Sequence, residues 1–259
     1  MDDLVVIGAM KSATTTVYSW LAPHPQIRQS AGKEVNFYND DRLWAKGFDW
    51  YEQQFEPAGT VRFDCSPNYS KRHLWPDVAN RMFADNRSAS IVYVVREPYD
   101  RVVSHYIHSV AAGREARGFD QVLDDADNEY IAATRYMWQL EPFLERAGFV
   151  SVLRFDDVVR DPAGVLGALL QSLGLDPTLG EPVTSGRNES SSKTRPSALA
   201  RRIPRSRSLL RRINTSLAER PIVKPDKTPD RVGRVRELLR DDLARLNESG
   251  LVDITDWLA

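Results

Sequence analysis

The first twenty residues constrain the fold of this chain more than any other segment. An apolar run over residues 4–7 is typical of a buried strand, and it ends at Gly8. A helix-like apolar segment begins after a lysine and four hydroxyl residues, namely Lys11, Ser12, Thr14, Thr15 and Thr16. This order predicts a strand, a phosphate-binding loop and a helix, because helix N-terminal N–H groups and a nearby lysine attract anions. The alternative is a plain strand-to-helix turn with a threonine cap and a surface lysine. The segment is not a Walker A motif, since GxxxxGK[ST] is absent.

A second predicted strand ends in complementary chemistry. Residues 91–95 are apolar, and Arg96 follows at the end of the run. Pro98 fits the first turn of a helix, on which Ser104 lies about two turns beyond Arg96. Ligands of open α/β sheets bind beyond the carboxyl ends of the strands. We therefore expect the Lys11 loop and Arg96 to share a cleft and to hold two phosphates of one nucleotide.

The alternation of strands and helices predicts the architecture. The pattern predicts strands over 4–8, 60–64, 90–95 and 149–154, and helices over 14–23, 75–84, 98–112, 129–147, 163–173 and 229–247. Strands separated by helices pair in parallel through right-handed crossovers. The sequence therefore predicts an α/β fold, a three-layer sandwich with a central parallel sheet and a P-loop-like strand–loop–helix unit.

Length and composition favour a single domain over residues 1–259. The formal net charge of −1 gives no general attraction to nucleic acid. A lone cysteine cannot form an intrachain disulfide, and no apolar run approaches the roughly 18 residues of a membrane span. We therefore expect a cytoplasmic protein without a transmembrane segment. The four histidines and one cysteine have no metal-ligand spacing, so no bound metal is expected.

The two phosphate motifs resemble those of the sulfotransferases that use 3′-phosphoadenosine 5′-phosphosulfate (PAPS). Further segments resemble that family in the same order: L-A-P-H-P-Q-I over 21–27, K-E-V-N-F-Y over 33–38, C-S-P-N-Y over 65–69 and S-K-T-R over 192–195. A looser match covers 256–258. The bacterial and heparan-sulfate-type carbohydrate sulfotransferases are the most similar branch.

The resemblance implies an activity and a set of site residues. Lys11 is expected to neutralise the leaving phosphate oxygen, and Glu34 to remove the acceptor proton, with Asp64 as the alternative base. PAPS, and its product adenosine 3′,5′-bisphosphate (PAP), would be bound by Lys11, Ser12, Ala13, Thr14, Thr15, Thr16, Arg96, Ser104, Lys193, Thr194 and Arg195. From their positions after the Ser-Pro-x-Tyr turn and on the predicted 129–147 helix, Tyr69, Arg72 and Tyr136 are expected to contact a carbohydrate or glycolipid acceptor together with Glu34, although Tyr136 could instead be a core residue.

Three positions depart from the family pattern. Ser12 and Ala13 replace the two glycines of K-G-G-T, and a left-handed backbone at either position would cost about 1–2 kcal/mol. Cys65 stands where heparan-type members often carry a lysine that assists acceptor activation. The departures leave open a nucleotide- or carbohydrate-binding module that has lost turnover.

Two further questions stay open from the sequence. A P-loop kinase of a small metabolite would need Mg²⁺, ATP and an acidic metal ligand, and the missing GK[ST] argues against it. The segment 195–220 holds eight arginines and one acidic residue, Glu219. This segment could contact an anionic acceptor or a lipid headgroup, although a solvated face is the commoner interpretation of such a pattern.

Overall fold

The computed structural model describes residues 3–180, 194–196 and 219–258. The described residues fall into two compact units. The first draws on segments 1–97, 132–185 and 239–259, and the second on 98–131 and 186–238.

A parallel five-stranded sheet lies at the centre of the first unit, with the order β2-β3-β1-β4-β5. The strands are β1 (Asp3–Gly8), β2 (Ile27–Gln29), β3 (Val61–Cys65), β4 (Ala89–Val95) and β5 (Phe149–Arg154). In β1, Val5 pairs with Asp64 of β3 on one side and with Ile91 of β4 on the other. The loops after β1, β3 and β4 therefore leave the same edge of the sheet, which confirms the predicted parallel sheet.

The helices lie between and after these strands. In chain order they are α1 (Thr14–Leu21), α2 (Asp41–Trp44), α3 (Phe48–Glu52), α4 (Val78–Met82), α5 (Pro98–Ala111), α6 (Phe119–Asp124), α7 (Glu129–Ala132), α8 (Tyr136–Leu144), α9 (Phe155–Arg160), α10 (Pro162–Ser172), α11 (Pro229–Glu248) and α12 (Thr255–Leu258). Among the residues described, none of these helices is both long and apolar enough to span a bilayer.

The core of the first unit has two layers of side chains, one on each face of the sheet. Val92 and Val94 of β4 are fully buried in a cluster with Val17 of α1 and Leu170 of α10. The Tyr93 side chain, between them, points to the other face of the sheet, because successive side chains of a strand point to opposite faces. There the Tyr93 ring packs edge-on against Tyr136 of α8, with centroids 6.1 Å apart. Helices cover both faces, which confirms the three-layer sandwich.

Several element boundaries differ from the prediction. The three-residue strand β2 is missed, because it is too short to show periodicity. The predicted helix over 129–147 is two helices, α7 and α8. The break has a tertiary cause: the Asp242 carboxylate accepts hydrogen bonds from the backbone N–H groups of Met137 and Trp138 and so begins a new helix there. The short helices α2, α3, α6 and α9 are also missed.

The second unit contains α5, α6 and the segment that leads into α11. The Tyr99 hydroxyl donates to the Asp226 carbonyl at 2.6 Å, and Lys227 lies 2.9 Å from the Asp100 carboxylate. Two short strands, β6 (Thr194–Pro196) and β7 (Glu219–Pro221), pair antiparallel. As predicted, α11 begins at Pro229, and the Thr228 hydroxyl accepts from the Arg231 N–H at 3.4 Å.

Candidate active site

The loop between β1 and α1 turns tightly at the carboxyl edge of the sheet. The Ala9 N–H donates to the Val94 carbonyl at 2.8 Å, and the Ser12 N–H donates back to the Ala9 carbonyl at 3.2 Å. Lys11 and Ala13 both have left-handed backbones, with φ of 75° and 64°. Ala13 is the N-cap of α1 and provides no side-chain cap. The Thr16 N–H already donates to the Ala13 carbonyl at 2.9 Å, so the N–H groups of Thr14 and Thr15 are the ones at the start of α1 that an anion could use.

Gly8 is required at the start of this loop by close packing. Its φ is 155°, and a Cβ at this position would lie 2.2 Å from the Ser70 Oγ. A side chain at this position would therefore push β1 away from the turn that follows β3.

The hydroxyl of Ser12 is the clearest mark of an anion site in the loop. The residue is fully buried, and its Oγ has no hydrogen-bond partner among the described residues. An unsatisfied buried hydroxyl is costly, and a ligand oxygen would remove that cost. The loop therefore fits a phosphate or phosphosulfate group.

Arg96, at the end of β4, lies against the same loop. Its Nη1 donates to the Lys11 carbonyl at 3.2 Å, and its guanidinium stacks over the Phe155 ring, 4.3 Å from the centroid. The Tyr136 hydroxyl donates to the Arg96 carbonyl at 2.7 Å and accepts from the Arg96 N–H at 3.3 Å. The structure thus brings the two predicted phosphate motifs into direct contact.

Tyr136 is in turn held by a buried carboxylate from α11. Asp242 accepts from the N–H groups of Met137 and Trp138 at 3.0 and 2.8 Å, at the start of α8. Burial raises the pKa of Asp242 to about 6, although these hydrogen bonds oppose the shift. A chain of contacts therefore runs from Asp242 through α8 to Arg96.

The segment after β2 brings Lys33 to the first turn of α1, with the Glu34 carboxylate beside it. The Lys33 Nζ donates to the Thr15 Oγ1 at 2.9 Å and lies 3.4 Å from the Glu34 Oε1. The Glu34 side chain is 40 % exposed, so solvent reaches its carboxylate. Lys33 is a site residue that the sequence prediction omitted, although the K-E-V-N-F-Y segment contains it.

Asp64, the alternative base, is enclosed by protein hydroxyls. Its Oδ1 accepts from the Ser66 Oγ at 2.6 Å, and its Oδ2 accepts from Tyr69 at 2.7 Å and from Tyr51 at 3.3 Å. Burial raises the pKa of Asp64 to about 6, against the lowering effect of these hydrogen bonds. With 1 % of its surface exposed, this carboxylate is placed to support the site rather than to meet an acceptor.

Cys65 lies beneath the loop and leaves this position without a cation. Its Sγ donates to the Thr14 carbonyl at 3.5 Å, and burial raises the pKa of the thiol far above its usual range. The end of β3 therefore offers a neutral, buried group to the phosphate loop.

The residues expected to bind the acceptor differ in exposure. Tyr69 and Tyr136 are buried, and their hydroxyls bond Asp64 and the Arg96 backbone, respectively. Arg72 is about one-third exposed; its Nη1 donates to the Trp138 carbonyl at 3.1 Å, and its guanidinium stacks on the Trp138 ring. Of the three, Arg72 is the one that solvent reaches.

The remaining predicted residues lie in the second unit or outside the described residues. Ser104 is buried on α5. Thr194 and Arg195 lie in β6, but their side chains are outside the described ones, as is Lys193 altogether. Most of the Arg-rich segment 195–220 also lies outside the described residues.

Proteins of known class are similar to this chain in sequence. The heparan sulfate glucosamine 3-O-sulfotransferase 3B1 of Mus musculus is 26% identical over 187 residues, covering 68% of this chain and 46% of the relative. The bifunctional heparan sulfate N-deacetylase/N-sulfotransferase 1 of Caenorhabditis briggsae is 26% identical over 199 residues, covering 68% and 23%. This chain thus spans less than half the length of these curated relatives.

The fold and a family model agree with this likeness. The crystal structure of a sulfotransferase from Alicyclobacillus acidocaldarius superposes with a TM-score of 0.71 at 20% identity, covering 100% of this chain and 99% of that one, which shows a shared fold. The family model described as the sulfotransferase domain matches residues 1–203, most of the chain. The predicted family is therefore confirmed: this chain belongs to the sulfotransferases.

Proposed function

We propose that this chain transfers a sulfuryl group from PAPS to a hydroxyl or amine of a carbohydrate-type acceptor. The observation that carries the proposal is the hydrogen bond from Arg96 Nη1 to the Lys11 carbonyl, at 3.2 Å. It joins two cationic strand ends at one edge of the sheet, where ligands of such folds bind. A donor with phosphate at both the 5′ and 3′ positions suits a site with two anion-binding groups.

The residues of the loop would bind the 5′ end of the donor. Lys11 would provide a full positive charge, and the N–H groups at the start of α1 would add oriented donors. Ser12 would satisfy its buried hydroxyl on the same group, and Thr14, Thr15, Thr16 and the Ala13 N–H would complete the set. Arg96 would bind the 3′-phosphate, with Ser104, Lys193, Thr194 and Arg195 as further residues of that end.

The chemistry needs little covalent work from the protein. When bound, PAPS supplies an activated sulfuryl group whose transfer leaves PAP. Glu34 would accept the proton of the attacking hydroxyl or amine, and its exposure gives an acceptor access. Lys33, between Glu34 and Thr15, would fix the carboxylate beside the phosphate loop. Positioning and charge stabilisation would supply most of the rate enhancement.

The acceptor class is supported by the names of the curated relatives, which act on heparan sulfate. The Arg72 guanidinium lies over the Trp138 ring and 3.4 Å from the Glu141 carboxylate, so a cation and an aromatic surface lie next to each other. Such a pair suits a sugar that already carries a negative charge. Tyr69 and Tyr136 would act through the residues they hold, since both are buried.

The environment of Asp64 disfavours the kinase alternative. In a P-loop kinase, an acidic residue near the phosphate loop holds Mg²⁺. The acid at the end of β3 is Asp64, and both of its oxygens already accept hydrogen bonds from Ser66, Tyr69 and Tyr51. A metal ligand at this position would have to give up that network.

A binding experiment tests the donor. Calorimetry and thermal shift should show that PAP binds, whereas ADP and ATP with Mg²⁺ bind far more weakly; at 100 times its Kd, PAP should stabilise the fold by about 2.7 kcal/mol. Arg96→Ala should abolish the preference for PAP over ADP. Arg42→Ala is the matched control, because that side chain is 89% exposed and pairs with Asp40. Equal affinity for PAP and ADP in the wild-type protein would refute the donor assignment.

A transfer experiment tests turnover and separates the enzyme from a binding module that has lost it. Radiolabelled PAPS would be supplied with an N-sulfated heparosan oligosaccharide as the probe acceptor. Glu34→Gln should lower the transfer rate about 10²–10⁴-fold while the Kd for PAP stays unchanged. Glu145→Gln, at an exposed position on the end of α8, is the control. If the wild-type protein binds PAP tightly but transfers no sulfuryl group, the result would favour a binding module that has lost turnover.

A further inference from the structure

Three successive backbone N–H groups follow Glu34, and all of them lead to one carboxylate. The Val35 N–H lies toward the Asp64 carboxylate and lowers the pKa of that carboxyl. The Asn36 N–H donates to the Ser66 Oγ at 3.0 Å, and that hydroxyl donates to the Asp64 Oδ1 at 2.6 Å. The loop backbone is therefore tied to the end of β3, partly through a hydroxyl relay.

The third N–H uses a second relay. The Phe37 N–H donates to the Tyr69 hydroxyl at 2.9 Å, and Tyr69 donates to the Asp64 Oδ2 at 2.7 Å. Each relay hydroxyl accepts from an amide and donates to Asp64, so the direction of every hydrogen bond is fixed. An ionised carboxylate only accepts hydrogen bonds, and it can therefore terminate all three connections at once.

The segment that carries Glu34 is irregular and is anchored at its far end by packing. The Phe37 ring stacks on Tyr51 with centroids 4.7 Å apart, and the Asn68 side chain donates to the Asn36 Oδ1 at 3.1 Å. Residues 34–36 lie in neither a helix nor a strand, and Asn36 has a left-handed backbone, with φ of 55°. On its other side the segment is held by Lys33, which contacts Thr15. An irregular loop needs such side-chain partners, because its backbone groups are not paired in a ladder.

We propose that Asp64 is a positioning residue, whose carboxylate fixes the backbone of residues 35–37 and thereby places the Glu34 carboxylate beside the phosphate loop. This inference rests on the proposed role of Glu34 as the base. The burial of the carboxylate supports it, because a charge enclosed by protein is costly and a neutral residue would serve packing alone at less cost. The three hydroxyls and the Val35 N–H compensate for that burial.

Hydrogen–deuterium exchange tests the positioning without any acceptor. In Asp64→Asn, the side-chain amide cannot accept from all three groups, so the amides of Val35, Asn36 and Phe37 should exchange roughly tenfold faster or more. The amides of β1 and β4 should keep their protection, which shows that the fold is intact. Unchanged exchange at residues 35–37 in Asp64→Asn would overturn the proposal.

Two tyrosines give a milder and matched pair of variants. Tyr69→Phe removes the relay for the Phe37 N–H, whereas Tyr51→Phe removes a hydroxyl from the same Asp64 oxygen without touching an amide of residues 35–37. Tyr69→Phe should increase exchange at Phe37 and lower the transfer rate roughly tenfold, and Tyr51→Phe should do neither. Equal effects of the two variants would indicate a merely structural network and refute the positioning role.

The outcome also separates this inference from the proposed function. If Glu34→Gln retains the wild-type transfer rate, the role of Glu34 fails, whatever the exchange at residues 35–37 shows. If Glu34→Gln abolishes transfer while Asp64→Asn keeps the wild-type rate and Kd, the positioning role alone fails. We expect Asp64→Asn to lower kcat with little change in the Kd for PAP, since Asp64 contacts none of the phosphate-loop residues in the hydrogen bonds described.

Discussion

Two halves of the site are each held by a buried aspartate, but in different ways. On the half proposed to bind the donor, Asp242 accepts directly from two N–H groups of α8, and the Tyr136 hydroxyl of that helix donates to the Arg96 carbonyl. On the half proposed to hold the base, two of the three amides after Glu34 are connected to Asp64 through a hydroxyl. Burial raises the pKa of both carboxyls to about 6.

The difference follows from what each aspartate has to hold. A helix presents its first N–H groups together, and one carboxylate can cap them directly. An irregular loop presents its N–H groups at different distances and in different directions from one carboxylate. Hydroxyl-bearing side chains of different lengths therefore connect those N–H groups to it. The comparison predicts that Asp242 affects donor binding and that Asp64 affects the chemical step.

The largest expected effect is on the pH dependence of stability. In the unfolded chain these carboxyls lose their protons near pH 4, but in the folded protein near pH 6. Between these values the folded state binds more protons, so the free energy of unfolding should fall as pH rises from 4 to above 6. Each residue should contribute about 3 kcal/mol at most to this fall.

Urea unfolding of the wild type, Asp64→Asn and Asp242→Asn at a series of pH values would measure this pH dependence of stability. The difference in unfolding free energy between wild type and each variant should shrink or reverse as pH rises through this window. Carboxyls with lowered pKa, such as Glu115, act in the opposite direction, and the wild-type–variant difference removes their contribution. A difference that does not change with pH would show that the carboxyl in question titrates normally.

The next effect is on catalysis. Asp64→Asn should lower kcat for transfer to the heparosan probe roughly a hundredfold, because a displaced base loses the alignment that proton transfer needs. The Kd for PAP should stay within about threefold of the wild-type value. Steady-state kinetics and calorimetry on the same preparation would measure both. If Asp64→Asn lowered PAP affinity by the same factor as kcat, Asp64 would affect donor binding as well, and the proposed difference between Asp64 and Asp242 would fail.

A smaller effect is expected on the donor half. Asp242→Asn should weaken PAP binding roughly tenfold, since the start of α8 loosens and Tyr136 no longer fixes the Arg96 backbone. Tyr136→Phe, which keeps the ring against Tyr93 but removes the hydroxyl, should weaken binding in the same direction. Calorimetric titration with PAP measures both variants. Wild-type affinity in Tyr136→Phe would break the proposed chain from Asp242 to Arg96.

The sequence predicted the donor half better than the base half. The Lys11 loop and Arg96 are marked locally, each by an apolar strand followed within three residues by a cation. By contrast, Asp242 lies 105 residues after Met137 in the sequence, and no local pattern predicts its contact with α8. The sequence predicts Asp64 as the alternative base, but the surroundings of its carboxylate depend on Tyr51 and Tyr69, which only tertiary packing brings to it. Local motifs thus reveal the groups proposed to contact a ligand more readily than the buried groups that hold them in place.

The smallest expected effect concerns the backbone of the phosphate loop, which carries conformational strain. Ala13 has a left-handed backbone, with φ of 64°, which costs a residue with a Cβ about 1 kcal/mol or more. Ala13→Gly should therefore raise the free energy of unfolding by about 1 kcal/mol. The control is Ala168→Gly, at an exposed position inside α10, which should lower it by about 1 kcal/mol. Thermal and urea unfolding measure both changes, and PAP affinity should not fall in Ala13→Gly. Destabilisation by Ala13→Gly would mean that the alanine methyl contributes packing worth more than the strain it carries.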